Sequence, residues 1–221
     1  MKGTMQRIYF NDIYLDHVGD ICKEMFVEKL YDRYFQGRKD LTVLDIGANI
    51  GLFSYFAYPF SKIIYALEPA TVPFELLSLM VRDNELPKIL PVKLGISNVC
   101  GDQTFYLNPA NTTANMLSKY VVEQLPTIER ETIQTVTLEK LVEMYEIKQV
   151  DVLKLDVEGE EAKIFSHESF DKVCDKVKTI LVEYHEWSGV SQDQLKWMLL
   201  DRGYKVEQLN TNATVFVGER A

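Results

Sequence analysis

The sequence is short of cysteine, histidine, glycine and proline, and each shortage removes a class of protein. Its three cysteines, Cys22, Cys100 and Cys174, are odd in number and far apart, with no Cys-x-x-Cys pair. That pattern indicates neither a disulfide framework nor a zinc cluster. Eleven glycines and seven prolines beside 47% hydrophobic residues exclude a fibrous or disordered chain. No apolar run approaches the length of a membrane span without charges, and Met1 to Phe10 lacks the apolar core of a signal peptide. A cytoplasmic protein with no membrane partner is therefore expected. Basic residues are outnumbered, 24 against 33 acidic, giving a net charge of −9. This opposes broad contact with phosphate backbones, so nucleic acid is not an expected partner. At 221 residues the chain suits one domain with a substantial core.

What the sequence does contain is concentrated in the stretch Thr42 to Gly51. A short apolar run with β-branched residues leads into Gly47, Asn49 and Gly51, and Leu52, Phe53, Tyr55, Phe56 and Ala57 follow as a short helix. The pattern is a buried strand entering a tight turn at a helix start, where a small ligand can meet bare backbone N–H groups. Two carboxylates strengthen that reading. Asp45 interrupts the apolar strand, where an unpaired charge is costly, and is expected to reach out at the strand's carboxyl end. Glu68 ends the next apolar run, Lys62 to Leu67, about 20 residues beyond Gly47, the spacing at which an acid accepts hydrogen bonds from a ribose diol. An adenosine-type cofactor is expected. A dinucleotide fingerprint would need glycines where Asn49 and Leu52 stand, which disfavours nicotinamide and flavin.

Along the rest of the chain, Ile8 to Leu15 suggests an extended arm or edge strand, and Asp20 to Phe35 a helix covering the sheet edge. A lid role for part of that helix, including Glu24, is the alternative. Residues 1–40 are thus an arm and covering helix, and residues 41–221 the main domain. Thr71 is expected to cap a helix stopped by Pro87; Ile89 to Leu94, Thr104 to Leu107 and Glu131 to Val136 are extended, with a turn-rich segment from Gly95 to Asp102. Asn108 to Glu129, polar and carrying Pro109 and Pro126, suits a lid or substrate wall. Thr137 caps a helix bearing Leu138, Leu141, Val142 and Tyr145. The apolar strand Val150 to Leu155 ends in Lys154-Leu155-Asp156-Val157-Glu158-Gly159-Glu160-Glu161. Glu160 and Glu161 suit the first turn of a helix; Asp156 belongs before it, beside the Gly47 loop if the sheet is doubly wound. Thr179 to Tyr184 is a further strand followed by His185, and Ser191 with Gln194 makes a capping box ahead of a helix that Gly203 ends. Lys205 to Leu209 and Thr214 to Gly218 form a final hairpin. Strands alternating with helices indicate an α/β three-layer sandwich.

The run Val43-Leu-Asp-Ile-Gly-Ala-Asn-Ile-Gly51 closely resembles the first motif of Rossmann-like S-adenosylmethionine-dependent methyltransferases, and specifically that of the FkbM family. Leu94 to Asn98 with Gly101 resembles the family's segment that passes the adenine. Lys154 to Glu161 resembles its signature after the fourth strand, and Glu183 with His185 its Glu-x-His. Nothing here matches the Asn-Pro-Pro-Tyr or Pro-Cys motifs of nucleic-acid methyltransferases. The resemblance runs from about Gly19 to the C-terminus. It implies a doubly wound seven-stranded sheet with its last strand antiparallel, S-adenosylmethionine as cofactor, and methylation of a hydroxyl oxygen of a sugar or small metabolite. The cofactor-binding residues are then Asp45, Gly47, Asn49, Gly51, Glu68, Asn98 and Asp156. Catalysis falls to His185 as acceptor of the hydroxyl proton, Asp156 as the group orienting cofactor or acceptor, and Glu158 in support. No resident metal is assigned; a divalent cation on Asp156, Glu158, Glu183 and His185 is the lesser alternative. An oxidoreductase or a non-catalytic adenosine-binding protein are the readings outside this class.

Overall fold

In the computed structural model, residues 25, 29–107, 129–209 and 215–220 are described. The expected arm, Glu24, the polar segment with Thr112, Thr113, Asn115 and Ser118, and the tip of the final hairpin lie outside them. Seven strands form the main sheet: β1 Leu41–Ile46, β2 Ser61–Leu67, β3 Ile89–Val92, β7 Val150–Leu155, β8 Val177–Glu183, β9 Lys205–Gln208 and β10 Val215–Glu219. Their order is β3-β2-β1-β7-β8-β10-β9. The first five run parallel, and β10 pairs antiparallel with both β8 and β9. The edges match their chemistry. Pro91, which cannot donate to a ladder, lies in edge strand β3, and the opposite edge β9 carries the exposed charges Lys205 and Glu207.

The central strands are apolar on both faces because helices cover both. Leu44, Ile46, Leu153, Leu155, Ile180 and Val182 share one core with residues of α4 Leu138–Met144, α5 Glu161–Ser166, α6 Glu168–Asp171 and α7 Gln192–Leu200. The alternate residues Val43, Ile64, Ala66, Val152 and Leu181 face a second core with α1 Asp32–Phe35, α2 Leu52–Ala57 and α3 Thr71–Asp83. In this second core Tyr31 and Phe35 pack ring against ring on Phe53 and Phe56, so the described part of the N-terminal segment seals one face. Thr137 and the Ser191–Gln194 capping box start α4 and α7 as expected. Thr71 does not cap α3: Ala70 occupies that position, and the Thr71 N–H instead donates to Glu131 Oε2 at 3.1 Å, a carboxylate arriving from strand β6, Glu129–Val136.

That strand belongs to a feature the sequence did not reveal, a second sheet of three strands in the order β4-β6-β5, with β4 Gly95–Ile96, β5 Gly101–Leu107 and β6 Glu129–Val136. β5 and β6 pair antiparallel, from Gly101 opposite Thr135 to Leu107 opposite Glu129. The polar segment therefore connects the two arms of a hairpin. Among the described residues no helix is long and apolar enough to cross a membrane.

Candidate active site

Strand order reverses between β1 and β7, and at such a switch point the loops after the two strands diverge and leave a crevice. Here the two loops are in contact. The Asp156 N–H donates to the Ile46 carbonyl at 3.1 Å, and Gly47, at φ +77°, leaves no room for a side chain: an added Cβ would stand 1.7 Å from the Asp156 carbonyl oxygen. Gly51 (φ +91°) is held for a packing reason as well, since a Cβ there would come within 2.4 Å of Met80 Cε and 2.6 Å of Leu77 Cδ1.

Asn49 and Glu68 form the other wall. The Asn49 N–H donates to Glu68 Oε2 and the Ala70 N–H to Glu68 Oε1, both at 2.9 Å. Burial drives the Glu68 carboxyl up to about 7 despite those two donors. Asn49 Oδ1 is buried and makes no hydrogen bond among the described residues. A buried acid on the rim of β2 and an amide oxygen free to accept fit the sugar of an adenosine cofactor.

Asp45 is placed differently from expectation. It is fully buried within the sheet instead of reaching into the crevice. Its Oδ2 accepts from the Ser54 hydroxyl at 2.6 Å, and Lys154 Nζ lies 3.9 Å from Oδ1. The register explains this, because Asp45 and Lys154 are paired neighbours on β1 and β7. Burial raises the Asp45 carboxyl, with Lys154 and Ser54 opposing. Lys154, to which sequence reasoning gave no role, also donates to the Gly47 carbonyl at 3.1 Å and to Asp156 Oδ2 at 2.9 Å. Burial works against its charge, but Asp156 and Asp45 outweigh burial and hold its pKa above the ordinary value. The signal was present as a lysine inside an apolar strand, two residues before Asp156.

Beyond Asp156 the chain turns sharply, with Glu158 at φ +53° and Gly159 at φ +103°. Trp187 closes over the turn, donating from Nε1 to the Glu158 carbonyl at 3.0 Å and lying 5.0 Å from the His185 ring. His185 is itself only 8% exposed. Its Nδ1 lies 2.7 Å from Glu161 Oε1, while Nε2 points to Glu158 Oε2 at 3.5 Å and Asp156 Oδ1 at 3.8 Å. Glu161, expected only as a helix-terminus acid, is fully buried and also accepts from the Gly159 N–H at 3.2 Å. Its neighbour Glu160 turns the other way, accepting from the Ser97 hydroxyl at 2.7 Å and pairing with Lys163. Asn98 follows Ser97 directly, its Oδ1 3.3 Å from the Ser97 hydroxyl.

Charge in this cluster is unevenly shared. Burial would depress the His185 ring, but the Glu161 bond and charge, with Glu158 and Asp156, lift it to about 10. Burial lifts Glu158 to about 8, with His185 opposing and Asp156, Glu183 and Glu161 adding to the rise. Asp156 is held below its ordinary value, Lys154 and His185 overcoming the effect of burial. The carboxylates around the ring thus favour its protonated form. The structure therefore gathers Gly47, Asn49, Gly51, Glu68, Asp156, Glu158 and His185 at one end of the sheet, ties Asn98 to it through Ser97 and Glu160, and withdraws Asp45 beneath it.

A doubly wound sheet with an inserted antiparallel last strand and an acid-rimmed crevice at its switch point defines a Rossmann-like, S-adenosylmethionine-dependent methyltransferase. The solved structure of a SAM-dependent methyltransferase from Aquifex aeolicus shares the fold, with a TM-score of 0.51 at 14% identity over 95% of this chain and 97% of that one. Residues 45–206 match the Methyltransferase FkbM domain, and the chain belongs to that family. Among its relatives are the hexuronic acid methyltransferase AglP of Haloferax volcanii, 26% identical over 84% of this chain and 73% of its own, and methyltransferase sdnD of Sordaria araneosa, 28% identical over 84% and 82%.

Proposed function

We propose that the enzyme transfers the methyl group to a hydroxyl oxygen of a sugar or similar small metabolite. The observation that carries this reading is the contact of the Gly47 loop with Asp156, which sets a crevice for the donor against the Asp156–Glu158–His185 cluster. S-adenosylmethionine supplies an already activated methyl group, so the protein has to align an oxygen with it and exclude water. A hydroxyl is a poor nucleophile until its proton departs. His185 Nε2 takes it in this reading, which the Glu161 bond to Nδ1 supports by fixing the ring. A ring that starts protonated must first release that proton, and a positive charge brought into the crevice favours the neutral form. Asp156 aligns donor and acceptor, and Glu158 supports the ring. That one relative is a hexuronic acid methyltransferase favours a sugar acceptor here.

The test has two steps. Calorimetry should show heat with S-adenosylmethionine, and incubation with a panel of sugars and sugar acids should yield a product heavier by one methylene, its position fixed by NMR. A product methylated on nitrogen or carbon would refute the hydroxyl reading.

A further inference from the structure

We infer that Asp156, Glu158 and His185 form a binding site for a divalent cation that holds and acidifies the acceptor hydroxyl. The inference rests on the hydroxyl-methylation reading and changes which group drives the proton off. One ligand atom from each of the three residues, a carboxylate oxygen or an imidazole nitrogen, lies within 4.8 Å of the other two. Around a cation with bonds of about 2.1 Å, neighbouring ligand atoms stand roughly 3.0–3.6 Å apart, so only small side-chain rotations separate this cluster from a coordination shell.

Two further observations point to a ligand. His185 is more than nine-tenths buried, and its Nε2 is aimed between Asp156 and Glu158 without a hydrogen bond to either, at 3.8 and 3.5 Å. Glu158 Oε2, facing it, is buried and has no hydrogen-bond partner among the described residues. The surrounding bonds orient the three groups inward. Glu161 holds Nδ1, the carboxylate–histidine arrangement that presents Nε2 to a metal. Lys154 occupies Asp156 Oδ2 and leaves Oδ1 toward the ring, and Trp187 pins the Glu158 backbone.

Charge is consistent with this. Asp156, Glu158 and Glu161 all face the ring, while Lys154 is bonded to only one of them. Two carboxylates and one imidazole suit a cation of the Mg2+ or Mn2+ kind. Three protein ligands leave positions for acceptor oxygens, and adjacent hydroxyls of a sugar ring can fill two. A cation touching the hydroxyl withdraws charge from its oxygen. The proton then leaves to water, the oxygen bonds to the methyl carbon, and the sulfur–carbon bond breaks with its electron pair staying on sulfur.

The test titrates MnCl2 into chelator-treated, folded enzyme with S-adenosylmethionine present, following free Mn2+ by electron paramagnetic resonance. One ion should bind per chain, and Glu158→Gln and His185→Ala should each weaken it at least tenfold. Calorimetry with S-adenosylmethionine on the same samples should be unchanged in Glu158→Gln. Methyl transfer should vanish with EDTA and return with Mn2+ or Mg2+. Absence of Mn2+ binding to the folded wild type, binding indifferent to Glu158→Gln, or full transfer under EDTA each overturns the cation site and leaves the methyltransferase reading standing. Absence of any heat with S-adenosylmethionine would instead overturn that reading itself.

Discussion

Replacing Lys154 with Met tests whether the charge beneath the crevice is structural. The substitution keeps a side chain of similar length and removes one positive charge. Asp45, fully buried, loses the cation 3.9 Å from its Oδ1, and Asp156 loses a 2.9 Å hydrogen bond. Breaking a buried pair by removing one partner costs about 3–5 kcal/mol, because the other charge is left unmatched. Against a total stability of roughly 5–15 kcal/mol this is large. At about 2–4 °C per kcal/mol for a chain of this size, the midpoint should fall by roughly 6–20 °C. The loss has a ceiling, since Asp45 can escape by taking up a proton, and its carboxyl is already raised. A carboxyl raised in the folded state contributes stability that is present at low pH and disappears as pH rises through its folded value. The deficit of the variant should therefore be larger at pH 8 than at pH 5. Adding Asp45→Asn should restore part of it, because the unmatched charge is gone while Ser54 keeps a polar partner. Urea unfolding followed by circular dichroism gives the loss, its pH dependence and the rescue, and a thermal scan gives the midpoint. A single-variant loss below about 1 kcal/mol, or a double variant less stable than Lys154→Met alone, would refute the reasoning.

Three other outcomes follow from the same geometry. Gly47→Ala should give little folded protein or a strongly lowered melting temperature, since its Cβ would collide with backbone oxygen and not with a yielding side chain; a variant melting within a few degrees of wild type would contradict this. With Glu68 near 7 in the free protein, affinity for S-adenosylmethionine should rise between pH 6 and pH 8 as the carboxylate forms and accepts the ribose hydroxyls. Glu68→Gln should remove that pH dependence and weaken binding, both read by calorimetry. Glu161→Gln, which leaves the His185 ring without its anionic partner, should cut turnover about 10- to 100-fold with cofactor affinity unchanged; a fall in both equally would make Glu161 a folding residue instead.

The sheet and most of its helices were legible because buried parallel strands are written as continuous apolar runs, and Thr137, Ser191 and Gln194 sit at cap positions whatever the tertiary context. The second sheet was not. Thr104 to Leu107 and Glu131 to Val136 read as extended, but nothing in the sequence showed that they pair, because β6 begins 22 residues beyond the end of β5, past residues 108–128. That Gly47, Asn49, Glu68 and Asp156 lie together at one end of the sheet was legible because motif spacing fixes where each falls. What Asp45, Lys154, Glu160 and Glu161 do was not, because those roles depend on which strand lies beside which and on where a turn aims a side chain. Asp45 and Lys154 become a pair only once β1 is known to lie against β7. Glu161 separates from Glu160 in function because the turn at Glu158 and Gly159 sends one carboxylate to His185 and the other to Ser97.

The register of β1 against β7 also explains how so many acids coexist at one end of the sheet. Asp45 and Lys154 lie side by side, so the lysine beneath the crevice sits against a fully buried carboxyl group. The same ammonium reaches up to Asp156 Oδ2 and the Gly47 carbonyl, locking together the two loops that line the crevice. One oxygen of Asp156 is thereby committed to the foundation and the other is left to the chemistry beside His185. A single carboxylate joins the half of the site that stays fixed to the half proposed to meet the acceptor. Loss of either Lys154 or Glu161 should accordingly leave the three inward groups present but misaimed, which separates them from Glu158 and His185, the groups proposed to meet the acceptor or its cation.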